Sequence, residues 1–324
     1  MLLSKTKYLV ITSLAALLAA CGGDSDLDKK SAKTLYQEAT QQLYAKEAQF
    51  NFKADAIVDI GIENPFLTDL KVKLSGAVNN NAQRYELIPE VEAAIFNFKL
   101  PILVDAKKKD LLLNPTNIID TALMFAPQAN SELQQYKNKF VRFSTKNFEI
   151  DEEDMAKVIT VISEAVEMGY GAMNEFAKII PETSIKKIEL NEKAKQLNAK
   201  AVLKVRLDEQ QSKELQQHIN TYLYNQVAEN EKLPEEFKEG FLQGLLEANS
   251  DTGYESSESV LYLNDKGQII HESDVFNYEI EGEKVSITMT IDYSNYGKAS
   301  FTINPSENQI IDFTEEKMRS LQRM

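Results

Sequence analysis

SVLYLNDKGQIIHESDVFNYEIEGEKVSITMTIDYS, residues 259–294, is the stretch that decides the fold predicted for this chain. Its first half predicts a β-hairpin with its turn at Asn264–Gly267, and its second half predicts another around Glu281–Glu283. KASFTINP, residues 298–305, is expected to close the sheet, and a polar helical tail is expected after it. The C-terminal part of the chain is therefore predicted to be an antiparallel sheet.

The N-terminal half predicts a second set of strands. FNFKADAIVDIGI, residues 50–62, alternates apolar and polar side chains, which is typical of a strand with one buried face. Similar patterns begin at Leu70 and Arg84, recur through residues 93–113 with a turn at Ala106–Asp110, and end with a short strand at 139–144. Together they indicate an antiparallel meander with one apolar face.

Helices are predicted at the start and in the middle of the chain. Ser31 is a suitable N-cap for an amphipathic helix over 32–49. The middle helices are expected at 151–180, with Asp151 as N-cap and a break at Gly169–Gly171, at 208–229, and over PEEFKEGFLQGLLEA, residues 234–248, with a strand region from Ile185 to Leu207 between the first two. The predicted fold class is α+β, with one domain over 32–324 and its helical middle at about 151–248. A division into two domains near residue 182 is the alternative.

The helix from Val158 to Ile180 is apolar nearly all round, and Ile118–Phe125 is also rich in apolar residues. Burial of both segments in a large core explains this pattern. The alternative is that they cover the concave face of a curved sheet and leave an apolar cavity. Methionine side chains suit such a wall because the thioether adapts to varied ligands. The candidate lining residues are Met124, Phe125, Val166, Met168, Met173 and Phe176.

The first 31 residues have the pattern of an export signal followed by a tether. Lys5 and Lys7 precede an uncharged stretch, Tyr8–Ala20, that is too short to span a bilayer. Leu18-Ala19-Ala20-Cys21 resembles the bacterial lipobox, and Cys21 is the only cysteine. The resemblance implies cleavage of a signal peptide at 1–20 and acylation of Cys21, with palmitate-type chains anchoring the protein in a membrane. Gly22, directly after the cysteine, resembles the residue found there in lipoproteins sorted to the outer membrane. The resemblance implies a protein anchored on the periplasmic face of that membrane.

Residues 21–31 are polar after the cysteine and predict a flexible tether. Asp24, Asp26 and Asp28 alternate as in a calcium loop, but an EF-hand needs Gly at the sixth position and Glu at the twelfth, where this chain has Lys29 and Leu35. No calcium site is therefore predicted.

The charge of the chain argues against nucleic acid as a partner. The net charge is −14, and loss of residues 1–20 would leave 34 basic and 50 acidic residues, a net charge of −16. Such a surface repels nucleic acid and anionic lipid. Acyl chains on Cys21 would therefore have to hold the protein to a membrane.

No motif in the sequence predicts catalysis, a metal or a cofactor. The two histidines, His218 and His271, have no second ligand at zinc spacing. Ser184-x-x-Lys187 lacks the companion motifs of a serine acyltransferase site, and DEED at 151–154 is best explained as a solvated helix start. Lys107–Lys109 are interpreted as a charged turn, with contact to phospholipid head groups as the alternative.

The order of these elements resembles that of bacterial lipoproteins of the Lol carrier and LppX/LprG type. The strands that begin at Phe50, Leu70 and Arg84, and the hairpin LYLNDKGQI at 261–269, carry the likeness over residues 32–313. It implies a curved antiparallel sheet, an unclosed half-barrel, with helices on its concave face and an acyl chain as ligand.

Three functions follow as hypotheses. The first is an outer-membrane-anchored binding protein for an apolar or acylated ligand. The second is an envelope interaction module whose sheet is filled by its own side chains and whose acidic surface binds a protein partner. The third, an enzyme, has no motif in its favour.

Overall fold

A computed structural model describes residues 27–60, 70–93, 96–125, 133–144, 152–248, 253–280 and 283–314. Its helices are α1 Ala32–Leu43, α2 Thr116–Phe125, α3 Glu152–Ile179, α4 Glu192–Gln196, α5 Glu209–Glu229 and α6 Glu235–Ala248. Its strands are β1 Gln49–Ile60, β2 Leu70–Asn79, β3 Arg84–Ala93, β4 Phe96–Lys99, β5 Ile102–Asp105, β6 Asp110–Leu113, β7 Phe140–Ser144, β8 Ile185–Ile188, β9 Ala201–Leu207, β10 Gly253–Leu263, β11 Ile269–Ile280, β12 Glu283–Ser294 and β13 Ile310–Asp312.

All thirteen of these strands belong to one curved, unclosed sheet, and the predicted α+β fold class is confirmed. The order is β13-β7-β6-β5-β3-β2-β1-β12-β11-β10-β9-β8, with β4 paired to β3. Every pairing is antiparallel except that of β13 with β7. Because β1 pairs with β12, the N-terminal meander and the C-terminal hairpins form a single surface.

The two hairpins predicted from residues 259–294 share β11 as their common strand. In the first turn the amide of Gly267 donates to the carbonyl of Asn264 over 3.1 Å. Gly267 has a φ of 74°, a conformation that side chains with a Cβ rarely adopt. The second turn, at 281–282, lies outside the described residues.

The main core lies between the concave face of the sheet and the helices α1, α3 and α5. Leu203 of β9 and Leu261 and Leu263 of β10 are buried against Leu35 and Leu43 of α1. Side chains cap both helices: Ser31, the predicted N-cap, accepts from the amide of Thr34, and Asp208 forms a capping box with Gln211. These caps fix where α1 and α5 start relative to the sheet. The first helix ends at Leu43 rather than at residue 49.

The predicted break in the long middle helix is wrong, because α3 is continuous through Gly169 and Gly171. The backbone of α3 approaches α5 at Gly171, where an added Cβ would collide with the hydroxyl of Tyr222. Close packing between the two helices therefore explains this glycine without a bend. The predicted N-cap, Asp151, lies outside the described residues.

Residues 298–305 do not form the predicted closing strand. They cross the convex face of the sheet, and β13 pairs with β7 instead. Glu86 of β3, which is buried, accepts hydrogen bonds from the amides of Thr302 and Ile303. Asn51 of β1 binds Ser300 through both its oxygen and its nitrogen. Side chains of the sheet thus take the place of a strand partner for this segment.

The chain packs against the body from Leu27 onward. Leu27 is 5% exposed and belongs to the main core. Lys187 donates to the carbonyls of Leu27 and Asp28, and Lys30 forms an ion pair with Glu38. Any flexible part of the predicted tether therefore lies before Leu27. Among the described helices, none combines the length and hydropathy needed to cross a membrane.

Candidate ligand cavity

A cavity of about 590 Å³ lies between the concave face of β9–β12 and the helices above it. Strand residues two apart share a face of the sheet, so alternate side chains of each strand point into this space. The sheet contributes Val205, Leu207, Ser257, Ser259, Glu272, Asp274, Phe276, Tyr278, Met289, Ile291 and Tyr293. The size is that of an ordinary small-molecule site.

Three helical segments form the opposite wall. From α5 come Ser212, Leu215, Gln216 and Ile219, whose spacing of three and four residues places them on one helical face. From α3 come Met173 and Phe176, and from α1 and the residue after it come Tyr36 and Tyr44. Most of the wall is thus aliphatic or aromatic.

Two acidic residues, Glu272 and Asp274, interrupt this apolar wall. They are two positions apart on β11, directly opposite Leu261 and Ser259 of β10. Asp274 is 2% exposed, whereas Glu272 keeps partial exposure toward the cavity that it lines. Because both side chains point to the same face, they lie against each other and form a hydrogen-bonded acid pair.

The acid pair has strongly perturbed ionisation. Burial raises the pKa of Glu272 to about 8, and the charge of Asp274 adds to this rise, while a hydrogen bond from the Tyr293 hydroxyl over 3.4 Å opposes it. Burial also raises the pKa of Asp274, although hydrogen bonds with Ser259 and Glu272 and the charge of His271 oppose the rise. At neutral pH Glu272 therefore keeps its proton, and Asp274 is also a weaker acid than an exposed aspartate.

Tyrosines surround the acid pair. Burial raises the pKa of Tyr36, Tyr44 and Tyr293, and the negative charge of Glu272 raises each further. The phenols are consequently neutral at physiological pH. They can donate hydrogen bonds to a carboxylate or a ligand, but they cannot balance the charge of the pair.

Two buried oxygen atoms at the cavity wall have no hydrogen-bond partner among the described residues. They are Oδ1 of Asp274 and Oγ of Ser212. Ser212 is 6% exposed and lies on α5, on the helical side of the cavity. Unpaired buried polar atoms are rare in folded proteins because each forfeits its hydrogen bonds to water.

A second cavity of about 460 Å³ adjoins the first at Tyr44, which lines both. The rings of Tyr44 and Tyr170 lie 5.4 Å apart, and burial raises the pKa of Tyr170 to about 12. The remaining wall is more polar: Lys46, Asn80, Asn81, Gln83, Tyr85, Lys107, Val166, Glu167, Gly171 and Asn174. Tyr44 therefore separates an apolar chamber from a polar one.

The structure brings only some of the predicted lining residues together. Met173 and Phe176 line the 590 Å³ cavity, and Val166 lines the polar one. Met168 is buried beside Val227 and Leu233. Met124 is 78% exposed at the end of α2, away from both cavities. Phe125 is the last residue of α2 and its side chain is outside the described part of the structure, as is all of Cys21.

Other residues singled out in the sequence take structural roles. His271 is buried on the opposite face of β11, where its Nδ1 lies 2.7 Å from Asp292. Lys187 binds the backbone near Leu27, and His218 lies 3.5 Å from Glu175. Among the described residues, no group of three or more acidic, histidine or cysteine side chains could hold a metal.

Sequence reasoning missed the acid pair. The signal was available in IIHESDVFNYEI, where Glu272 and Asp274 occupy the same alternating positions as Phe276 and Tyr278. Acidic side chains in a strand are usually placed on its solvated face, and only the pairing with β10 and β12 shows that this face is the enclosed one.

No protein-family model matches the chain, and no curated protein matches it. Among solved structures, a lipovitellin structure that describes lipid–protein interactions is similar to this chain, with a TM-score of 0.24 and 6% sequence identity. The match covers 81% of this chain and 26% of the lipovitellin chain, so this protein spans about a quarter of that length. A similarity at this level assigns neither fold nor function.

Proposed function

We propose that the protein binds an apolar or acylated ligand between the concave face of its half-barrel sheet and helices α1, α3 and α5. The observation that carries this proposal is the 590 Å³ cavity with mostly aliphatic and aromatic walls. Transfer of a ligand's methylene groups from water to such walls contributes about 0.8 kcal/mol for each group. Binding needs no covalent chemistry.

A binding assay with Nile red, an uncharged apolar dye, tests this function. We expect saturable one-to-one binding with a blue shift of its emission. Ser257 lies on the cavity wall, so Ser257→Phe should fill the space and weaken binding at least 10-fold. Ser273 lies on the other face, one position from Asp274, and Ser273→Phe is the matched control.

Equal binding by the two variants, or no saturable binding by the natural protein, would overturn the proposal. That result would favour the alternative of an envelope interaction module without a ligand.

The proposed place of action is the periplasmic face of the outer membrane, with acyl chains on Cys21 as the anchor. The lipobox-like residues Leu18–Cys21 support this part, and they lie outside the described residues. Growth with an alkyne-labelled palmitate should label the natural protein and leave Cys21→Ser unlabelled and in the soluble fraction. Labelling of both forms, or of neither, would contradict the anchor.

A further inference from the structure

The acid pair and Ser212 lie on opposite walls of one cavity, and each has a buried oxygen atom without a partner among the described residues. Asp274 belongs to β11 and Ser212 to α5, so the two unpartnered oxygen atoms come from different elements of the fold. Both residues are more than nine-tenths buried. A ligand group could satisfy Oδ1 of Asp274 only by donating a hydrogen bond, because a carboxylate oxygen only accepts, whereas the hydroxyl of Ser212 can donate or accept.

The charge of the cavity narrows the chemistry of that group. No lysine, arginine or histidine is among the described residues that line it. His271 acts on Asp274 from the opposite face of β11, but it is bound to Asp292. The titratable groups that face the acid pair from other elements are neutral tyrosines: Tyr36 and Tyr44 from α1 and its C-terminus, Tyr293 from β12, and Tyr296 just after it. Among the described residues that line the cavity, none therefore offers a positive charge to a carboxylate of the pair.

We propose that the ligand is an amphiphile with a protonated primary amine, whose ammonium group binds the acid pair of Glu272 and Asp274 while its apolar chain fills the rest of the cavity. This inference rests on the proposed function and names its ligand class. An ammonium group has three N–H donors, which can serve the carboxyl oxygens of Asp274 and Glu272. It also supplies the positive charge that compensates a buried carboxylate.

Other head groups fit less well. A fatty acid would bring a third carboxyl group beside two others, and like charges in a buried site repel strongly. A phosphate group would find no basic side chain on the described wall of the cavity. A fatty alcohol can donate one hydrogen bond but leaves the charge uncompensated. The expected order of affinity is therefore amine, then alcohol, then acid.

The test is displacement of Nile red from the full mature chain by dodecylamine, dodecan-1-ol and dodecanoic acid at pH 7. We expect the amine to bind about 10- to 100-fold more tightly than the alcohol, the range for hydrogen bonds to a charged group. Asp274→Asn should remove this advantage of the amine over the alcohol. Glu258→Gln, a carboxyl-to-amide change at an exposed ion pair on β10, is the matched control and should keep the advantage.

Proton release provides a second readout that a merely structural role of the pair would not produce. The ammonium group favours ionisation of Glu272, so amine binding at pH 7 should release a fraction of a proton to the buffer. Calorimetry in buffers of different ionisation enthalpy measures this release. It should be absent for the alcohol and in Glu272→Gln.

The two proposals fail in different ways. If the alcohol and the dye bind but the amine has no advantage, or if Asp274→Asn keeps that advantage, the amine assignment is overturned and apolar binding stands. If none of the three chains displaces saturably bound dye, the amine assignment is overturned; if the dye itself does not bind saturably, both proposals are overturned.

Discussion

Glu86 and Ile303 are joined by a 2.6 Å hydrogen bond from the amide of Ile303 to the carboxylate of Glu86, 217 residues apart in the chain. The same carboxylate accepts from the amide and the hydroxyl of Thr302. One buried side chain of β3 therefore fixes the C-terminal segment on the convex face. Without it, three donors would lack their acceptor.

We expect Glu86→Ala to destabilise the protein by about 2–4 kcal/mol, because it leaves the buried amides of Thr302 and Ile303 without their acceptor. Urea denaturation measures the loss. Glu258→Gln, which breaks only an exposed ion pair with Lys204, should cost less than about 1 kcal/mol. Equal effects of the two substitutions would contradict the anchoring role of Glu86.

The acid pair should make stability depend on pH. A pKa raised in the folded protein means that the folded state holds the proton more tightly than the unfolded chain. Stability should therefore fall as the pH rises from about 4.5, the ordinary pKa of Glu272, through about 8, its value in the cavity. Glu272→Gln should make this decline shallower and gain about 2 kcal/mol at pH 9. The free energy of unfolding is measured against pH by urea denaturation. Parallel profiles of the natural protein and Glu272→Gln would contradict a role of the acid pair in the pH dependence.

The two glycines of α3 should respond in opposite ways to substitution by alanine. Gly169 has no neighbouring atom within 4 Å of an added Cβ, so Gly169→Ala should stabilise by about 0.5–1 kcal/mol through helix propensity. Gly171→Ala would push the hydroxyl of Tyr222, and we expect it to destabilise by about 1 kcal/mol. Thermal unfolding gives both values. Addition of Tyr222→Phe should recover part of the Gly171→Ala loss, and a failure to do so would place the strain elsewhere.

Leu27 should contribute to stability as a core residue. Leu27→Ala removes a side chain that is 95% buried and should cost about 2–4 kcal/mol in urea denaturation. Leu190→Ala is the control, since Leu190 is 46% exposed, and it should cost less than about 1 kcal/mol. If both substitutions lower the free energy of unfolding by similarly small amounts, the segment at Leu27 does not pack against the body in solution.

The sequence predicted those parts of the fold that depend on local patterns. The alternation in β1, the cap at Ser31 and the glycine of the 264–267 turn each identify an element from neighbouring residues alone. The strand prediction for residues 298–305 was wrong because Phe301 and Ile303 alternate as in a strand. The amides of Thr302 and Ile303, however, donate to the Glu86 side chain, more than 200 residues away.

The candidate site was less predictable for the same reason. Met173 and Phe176 could be proposed as cavity residues from the apolar character of their helix. Glu272 and Asp274 could not, because the face of β11 on which they lie becomes enclosed only through pairing with β10 and β12 and through covering by α5.

Because Leu27 packs in the core, only a short segment would connect an acylated Cys21 to the folded body. Only six residues' length of backbone would separate the lipidated cysteine from the folded body, and a fully extended chain of that length reaches about 20 Å. The body would then stay within about 20 Å of the bilayer surface. A partner that hands over or accepts a ligand would have to approach the membrane itself, because this protein could not travel across the compartment to meet it.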